Sequence, residues 1–435
     1  VTSEAAVAIR TGLGAAELEE RVRSWIEMAI PAPWQEAALR GGGSAIRKIR
    51  SRAEYEAWYP TFASTGLVAP TWPVEYGGAG LTPEEAREVE ALLQPYNLGR
   101  LNPLGLSLTA PALFSFGTEE QRRRFLPPIV RNEETWCQLF SEPGAGSDLA
   151  SLSTRAIRDG ETWVITGQKV WNTWAHLADF GVLLARTDTD VPKRQGITYF
   201  LIDMRQPGVD VRPLRHITGE IDFNEVFLDG ALVPDEQRVG EVNEGWAVGN
   251  ATLSGERQMV SGAGSGGVDR IGGSGAERLI ALAKANSAQG LSPGWEDPLI
   301  RQEVAQLVLE ERVRNWTNQR VRAGAKAGRP LGAASSVGKI HQGSLNQRVQ
   351  LMAATLLGQR SLAWPAGAAD PEADPRDLYA ESLPYEVKSM LRSRANTIEG
   401  GTTEINLNIV AERVLGLPRE ADPYRDLPWR DVPRS

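Results

Sequence analysis

Three stretches of the 435-residue chain gather side chains and turns capable of chemistry. QLFSEPGAGSDLA at 138–150 follows an apolar run ending in Phe140 with a hydroxyl, Ser141, a Pro-Gly-Ala-Gly turn, and then Ser147 and Asp148. Glycines such as Gly146 permit close backbone approach, and successive N–H groups make a nest for anionic or carbonyl oxygens, although an ordinary turn has the same composition. In GQKVWNTW at 167–174, Trp171 and Thr173 lie two apart and share one side of a continuing strand, where an indole and a hydroxyl suit a flat heteroaromatic ring. TIEGGTTEI at 397–405 sets Glu399 before Gly400 and Gly401, with Thr402 and Glu404 behind them, which makes Glu399 a candidate general base. A rival carboxylate, Glu256, is followed by Arg257 in TLSGERQMV at 252–260; its bland alternative is a surface glutamate paired with a helical neighbour.

Positioning such groups requires more than one domain, because the chain exceeds the roughly 250–300 residues at which a single core stops growing. A hydrophobic content of 41% and a charged content of 23% are those of an ordinary globular protein, and no run of about 18 apolar residues suggests a membrane span. The net charge of -8 is spread without a basic block, which argues against a nucleic-acid partner. The single cysteine, Cys137, excludes an internal disulfide and reads as a small buried hydrophobe rather than a nucleophile. No Cys/His metal spacing is present, and without a secretion-signal pattern the expected compartment is the cytoplasm.

Periodicity divides the chain into helices (1–134), strands (135–238) and helices (239–435), an α+β arrangement. Leu18, Val22, Trp25, Ile26 and Ile30 form one amphipathic stripe, and Thr82, Pro83 and Glu85 have the spacing of a capped helix start. TWVITGQKVWN, FGVLLART, GITYFLID, VDVRPLRHI and NEVFLDGALVP are strand-like, with Asp229-Gly230 as a hairpin signal. Helical spacing returns at 300–314 and again at 405–415, where Gly416 and Pro418 end the last helix. The Gly-rich stretch at 261–277 reads as a flexible or closely packed helical region, and 367–377 as an exposed loop.

SEPGAGSD, GQKVWNT, FNEVFLDGALVP, VGEVNEGW and GGTTEINLNIVAERVLGLPRE, in that order over roughly 80–420, resemble the acyl-CoA dehydrogenases. The resemblance implies an N-terminal helical domain, a middle β domain of barrel or sandwich type and a C-terminal four-helix bundle. It also implies FAD between the last two, an acyl-CoA substrate, an electron-transfer flavoprotein as acceptor, a place in lipid metabolism and a homotetramer or heterotetramer. By the same resemblance Ser141 meets the flavin's pyrimidine edge, Trp171 flanks the ring and Thr173 lies near N5. Phe140, Gly146, Ser147, Thr402 and Glu404 complete the cofactor contacts, and Ser147, Arg257 and Gly400 face the substrate. The implied reaction is α,β-desaturation, a carboxylate removing the α-proton while the β-hydrogen leaves as hydride.

In the short- and medium-chain types the base directly precedes Gly-Thr, a position held here by Gly400, with Glu399 one residue early. A one-residue shift turns a side chain by about 100° on a helix. The isovaleryl and long-chain types carry their glutamate in an apolar-x-x-Glu-Arg context, which Glu256 and Arg257 match. Two family features are missing: Arg-x-x-Phe, where 281–290 reads ALAKANSAQG, and Gln-x-x-Gly-Gly, replaced by LLGQRSLAWPAG. Similar losses occur in relatives acting on bulky CoA esters, which keeps a half-site subunit of a heteromer open as an alternative. A second alternative is an oxidase or monooxygenase on the same fold, whose catalytic position need not hold a glutamate, so that Glu256 favours the dehydrogenase.

Overall fold

The computed structural model describes residues 9–260, 275–327, 334–362 and 385–433. Six helices open the chain: α1 (Ala15–Ala29), α2 (Ala32–Ile49), α3 (Arg52–Ala63), α4 (Pro83–Leu93), α5 (Ala110–Phe116) and α6 (Glu119–Arg131). The expected stripe of α1 is buried at Leu18, Val22, Trp25 and Ile26. Thr82 caps α4 in a reciprocal box with Glu85, so two otherwise orphaned N–H groups are satisfied at the position the sequence predicts.

Eight strands follow: β1 (Trp136–Leu139), β2 (Arg155–Asp159), β3 (Thr162–Lys169), β4 (Phe180–Arg186), β5 (Ile197–Asp203), β6 (Val209–Leu214), β7 (Phe223–Pro234) and β8 (Arg238–Val239). They form one sheet in the order β6-β7-β3-β2-β4-β5-β8, with β1 parallel to β4. One face encloses Leu139, Ile165, Phe200, Ile202, Val226 and Val233, as a barrel-like sheet does. The other face of β4 and β5 buries Val182, Leu184, Tyr199 and Leu201 beneath helices, so these strands read as continuous apolar runs rather than alternating ones. Cys137 lies in the first of these cores, and burial pushes its thiol pKa up, against any role as a nucleophile.

The hairpin expected at Asp229-Gly230 is not formed. β7 runs straight through it, Ile165 pairing with Ala231 and Thr166 with Asp229, so Gly230 is an extra residue with φ 71°. A left-handed glycine flanked by apolar residues also fits a bulge, which bends the strand without reversing it. The edge-like β2 escaped the sequence reading because only Ala156 of its five residues is buried.

The C-terminal helices are α7 (Gly245–Val260), α8 (Glu277–Ala288), α9 (Pro298–Lys326), α10 (Ala334–Leu357), α11 (Tyr385–Arg392) and α12 (Thr403–Arg413). Leu279, Val304, Leu307, Val349, Met352 and Leu356 give α8, α9 and α10 a shared core. Among the described residues no helix is long and apolar enough to cross a membrane. The stretches 261–274 and 367–377 lie outside the described residues.

Helix α7 packs against the sheet and the N-terminal helices through glycines. A Cβ on Gly255 would stand 1.9 Å from the Ser107 carbonyl oxygen, in the one-turn π-helix Gly105–Thr109, whereas the nearest atoms to one on Gly249 belong to the Leu184 side chain, Cδ1 at 3.1 Å first. Backbone cannot yield as a leucine tip can. Gly255→Ala should therefore cost about 1–3 kcal/mol in urea denaturation, and Gly249→Ala distinctly less.

Candidate active site

The SEPGAGSD loop is shaped from beneath by a buried ion pair. Lys169 Nζ, fully buried at the end of β3, lies 2.8 Å from Glu142 Oε1 and donates also to the Phe140 carbonyl at 3.0 Å. Glu142 further accepts from the Thr154 N–H at 2.9 Å, the Ser153 N–H at 2.7 Å and the Ser153 hydroxyl at 2.8 Å. Burial opposes ionisation, but the Lys169 ammonium and these donors outweigh it and hold Glu142 at about 2. Above the pair, Glu142 and Ala145 exchange two backbone hydrogen bonds that close the turn. Gly144 and Gly146 have open space where a Cβ would stand and no left-handed φ, so the fold itself does not demand glycine there. An approaching ligand would.

The second loop lies against the first, since the Val170 N–H donates to the Ser141 carbonyl at 2.9 Å. The strand expected to carry Trp171 and Thr173 ends at Lys169 instead. Trp171 and Trp174 take φ of 63° and 53°, rare for bulky side chains, and Trp171 is left 60% exposed. The amides of Asn172 and Trp174 donate to the carbonyls of Asn224 and Asp222, at 3.1 and 2.8 Å, and Asn172 Nδ2 donates to the Gln138 carbonyl at 2.7 Å. Two residues in left-handed backbone, not strand alternation, set where Trp171 and Thr173 point. Nearby, Asn172 Oδ1 and Trp174 Nε1 are buried without a partner among the described residues. An exposed indole, a hydroxyl-bearing loop and a glycine cradle with room above it fit a planar cofactor with a phosphate tail.

Helix α7 reaches the same place. Phe140 meets Tyr199 edge to face, 6.0 Å between centroids, and Tyr199 Oη lies 2.9 Å from Thr252 Oγ1. Position 256 is four residues on, roughly 40° around the helix from Thr252, and so on the Thr252 face. The side chains of Glu256 and Arg257 lie outside the described residues.

Glu399 is engaged elsewhere. Arg392 donates to its two oxygens at 3.3 and 2.8 Å, and Asn396 Nδ2 to Oε1 at 3.1 Å. Gly400 and Gly401 follow with φ of 64° and 88°, and Thr402 caps α12 by accepting the Ile405 N–H at 3.2 Å, while Glu404 is exposed. Arg392 lies over Phe223, 5.6 Å to the centroid, and Phe223 meets Trp171 edge to face at 5.9 Å, which brings the C-terminal turn to the Trp171 loop. Ser147 is exposed at the end of the first loop, where Asp148 pairs with Lys193 at 2.7 Å. Sequence reading missed Lys169, Asn172, Phe223 and Arg392. Lys169, Asn172 and Phe223 sit inside quoted motifs, but pairing across 27 or more residues, as Lys169 and Asn172 do, leaves no local signal. His216, Glu220 and Asp222, also unforeseen, come close enough to hold a cation, but Glu220 pairs with Lys388 and His216 with Asp222.

Helices, one curled sheet and further helices, with a glycine loop and an exposed indole where the sections meet, define a three-section α+β class of protein. Three family profiles make this specific: acyl-CoA dehydrogenase N-terminal domain over 17–133, middle domain over 137–230 and C-terminal domain over 243–415. The chain belongs to the acyl-CoA dehydrogenase family of FAD-dependent oxidoreductases. It is 37% identical to the acyl-CoA dehydrogenase IpdE1 of Mycobacterium tuberculosis over 412 residues, 93% of this chain and 98% of that one. It is 41% identical to the acyl-CoA dehydrogenase FadE34 of the same organism over 377 residues, 86% of this chain, and spans about half (48%) of FadE34's length. A solved structure described as the Tcur3481-Tcur3483 steroid ACAD superposes with a TM-score of 0.69 at 27% identity, covering 95% of this chain and 100% of that one.

Removing the ammonium tests the loop's foundation. Lys169→Met should cost about 3–5 kcal/mol, because it strands a buried carboxylate. In the wild type, the stabilisation from Glu142 is complete above the unfolded carboxyl value near 4.5 and is lost as pH falls toward about 2. Acid titration followed by circular dichroism should show that segment in the wild type and not in Lys169→Met.

Proposed function

We propose that this chain desaturates an acyl-CoA thioester between its α and β carbons with FAD as oxidant, Glu256 serving as the base. The observation that carries this choice is the engagement of Glu399 by Arg392 and Asn396, beside a glycine where the short-chain types have their base. Support for Glu256 comes from α7, anchored through Thr252 to Tyr199 beside Phe140, with position 256 one turn further on the same face.

Phe140, Ser141 and Gly146 would hold the cofactor from the β domain together with Trp171 and Thr173, as the family resemblance implies, and Thr402 and Glu404 would hold it from α12. Ser147, Arg257 and Gly400 face the substrate. Bound FAD supplies the hydride acceptor. An α-proton beside a thioester is too weakly acidic for a carboxylate in water, so backbone N–H groups at the thioester oxygen must stabilise the developing enolate. Exclusion of water must at the same time raise the Glu256 carboxyl toward the working pH. The electron acceptor would be an electron-transfer flavoprotein, as in the family.

The substrate class we favour is a bulky CoA ester and the assembly a tetramer, homomeric or of unlike chains. The relative named steroid ACAD carries a paired name. The absence of Arg-x-x-Phe over 281–290 agrees with such a pairing: α8 supplies instead a buried Asn286, whose Nδ2 donates to the Pro293 carbonyl at 2.7 Å and which accepts from Arg360 at 2.7 Å.

Anaerobic mixing of the FAD-loaded protein with a panel of CoA esters, read as flavin bleaching, tests the reaction. Glu256→Gln should keep FAD and lose reduction by about 10²–10⁴-fold, while Glu399→Gln should slow it by no more than about tenfold. Wild-type bleaching rates in Glu256→Gln would eliminate the assignment. Flavin content well below one per chain in protein purified alone would favour a half-site subunit.

A further inference from the structure

A turn made of two glycines has no side chain to anchor it and the largest backbone entropy to lose, so its flanks must hold it. On the far side of Gly400 and Gly401 the hold is the Thr402 cap; on the near side it is charge. Arg392 grips Glu399 and lies over Phe223, the ring that touches Trp171. One turn earlier on α11, Lys388 pairs with Glu220 of the β domain. Asp222 is buried beside them: its carbonyl takes the Trp174 N–H, its Oδ2 meets His216 Nε2 at 3.1 Å, and its Oδ1 has no partner among the described residues. Burial alone would lower the Arg392 pKa, but Glu399, Asp222 and Glu220 outweigh it and raise it. Two α11 cations thus lie among three carboxylates, two from the β domain and one from the turn.

We propose that Arg392 is a positioning residue, a clasp that ties the twin-glycine turn to the Trp171 loop with Glu399 as its counter-ion, and that its charge acts on the flavin held between them. The second half rests on the cofactor reading given above; the first does not. Reduction adds negative charge to the flavin, so an arginine nearby favours the reduced form and a carboxylate beside that arginine moderates it.

Two measurements separate these halves. In FAD-free protein, hydrogen exchange of the peptide 394–404 should be roughly tenfold faster in both Arg392→Gln and Glu399→Gln, since a charge-assisted bond has been removed. Unchanged exchange in both overturns the clasp. Should Arg392→Gln not fold, Arg392→Lys keeps the charge without the fork and should fall between wild type and Glu399→Gln. In FAD-loaded protein, the flavin midpoint potential should fall in Arg392→Gln and rise in Glu399→Gln. A merely structural pair would move both in one direction or neither, and either result overturns the charge effect. A chain that takes up no FAD would defeat the cofactor reading, while the exchange experiment would still decide the clasp.

Discussion

The site is built on one buried ion pair. Lys169 and Glu142 come from segments 27 residues apart, and neither charge can be left in the protein interior without the other. The carboxylate collects three further donors from Ser153 and Thr154, and the ammonium a carbonyl from Phe140, so that the desolvation of both is met by specific hydrogen bonds. Because Lys169 is the last residue of β3 and Glu142 the second of the glycine loop, the pair fixes the strand's end and the loop's start together.

The chain beyond Lys169 departs from strand geometry at once. Two tryptophans in left-handed backbone cost on the order of 1–3 kcal/mol each, and such strain persists only where surroundings over-determine it. Here the surroundings are the amide bonds of Val170, Asn172 and Trp174 to carbonyls on two other segments. What the strain achieves is an indole held out of the core with its neighbour Asn172 buried.

Around this platform the C-terminal section closes by two different kinds of force. Helix α7 approaches by the absence of side chains, glycines letting its backbone lie against Ser107 and the Thr198–Tyr199 peptide. The turn before α12 approaches by charge, through Arg392 and its carboxylates. Steric fit fixes the first rigidly; the second depends on ions near the solvent boundary and is the softer of the two.

Much of this was legible in the chain itself. Period and punctuation gave the order of helices and strands, the Thr82 cap and the stripe of α1, because those depend on neighbours a few residues apart. The glycine loop and the twin glycines also stood out as local composition, while the resemblance to the acyl-CoA dehydrogenases marked the Glu-Arg pair at 256–257 and the displacement of Glu399 from the usual base position. Local composition could not say that Asp229-Gly230 is a bulge, since a left-handed glycine serves a turn and a bulge equally and only the partner strand's register separates them. Nor could it show that Trp171 leaves the strand, that Lys169 neutralises Glu142, or that Arg392 occupies Glu399. Those facts belong to the tertiary structure, because burial and charge pairing are properties of groups brought together in space, and spacing along the chain carries no record of them.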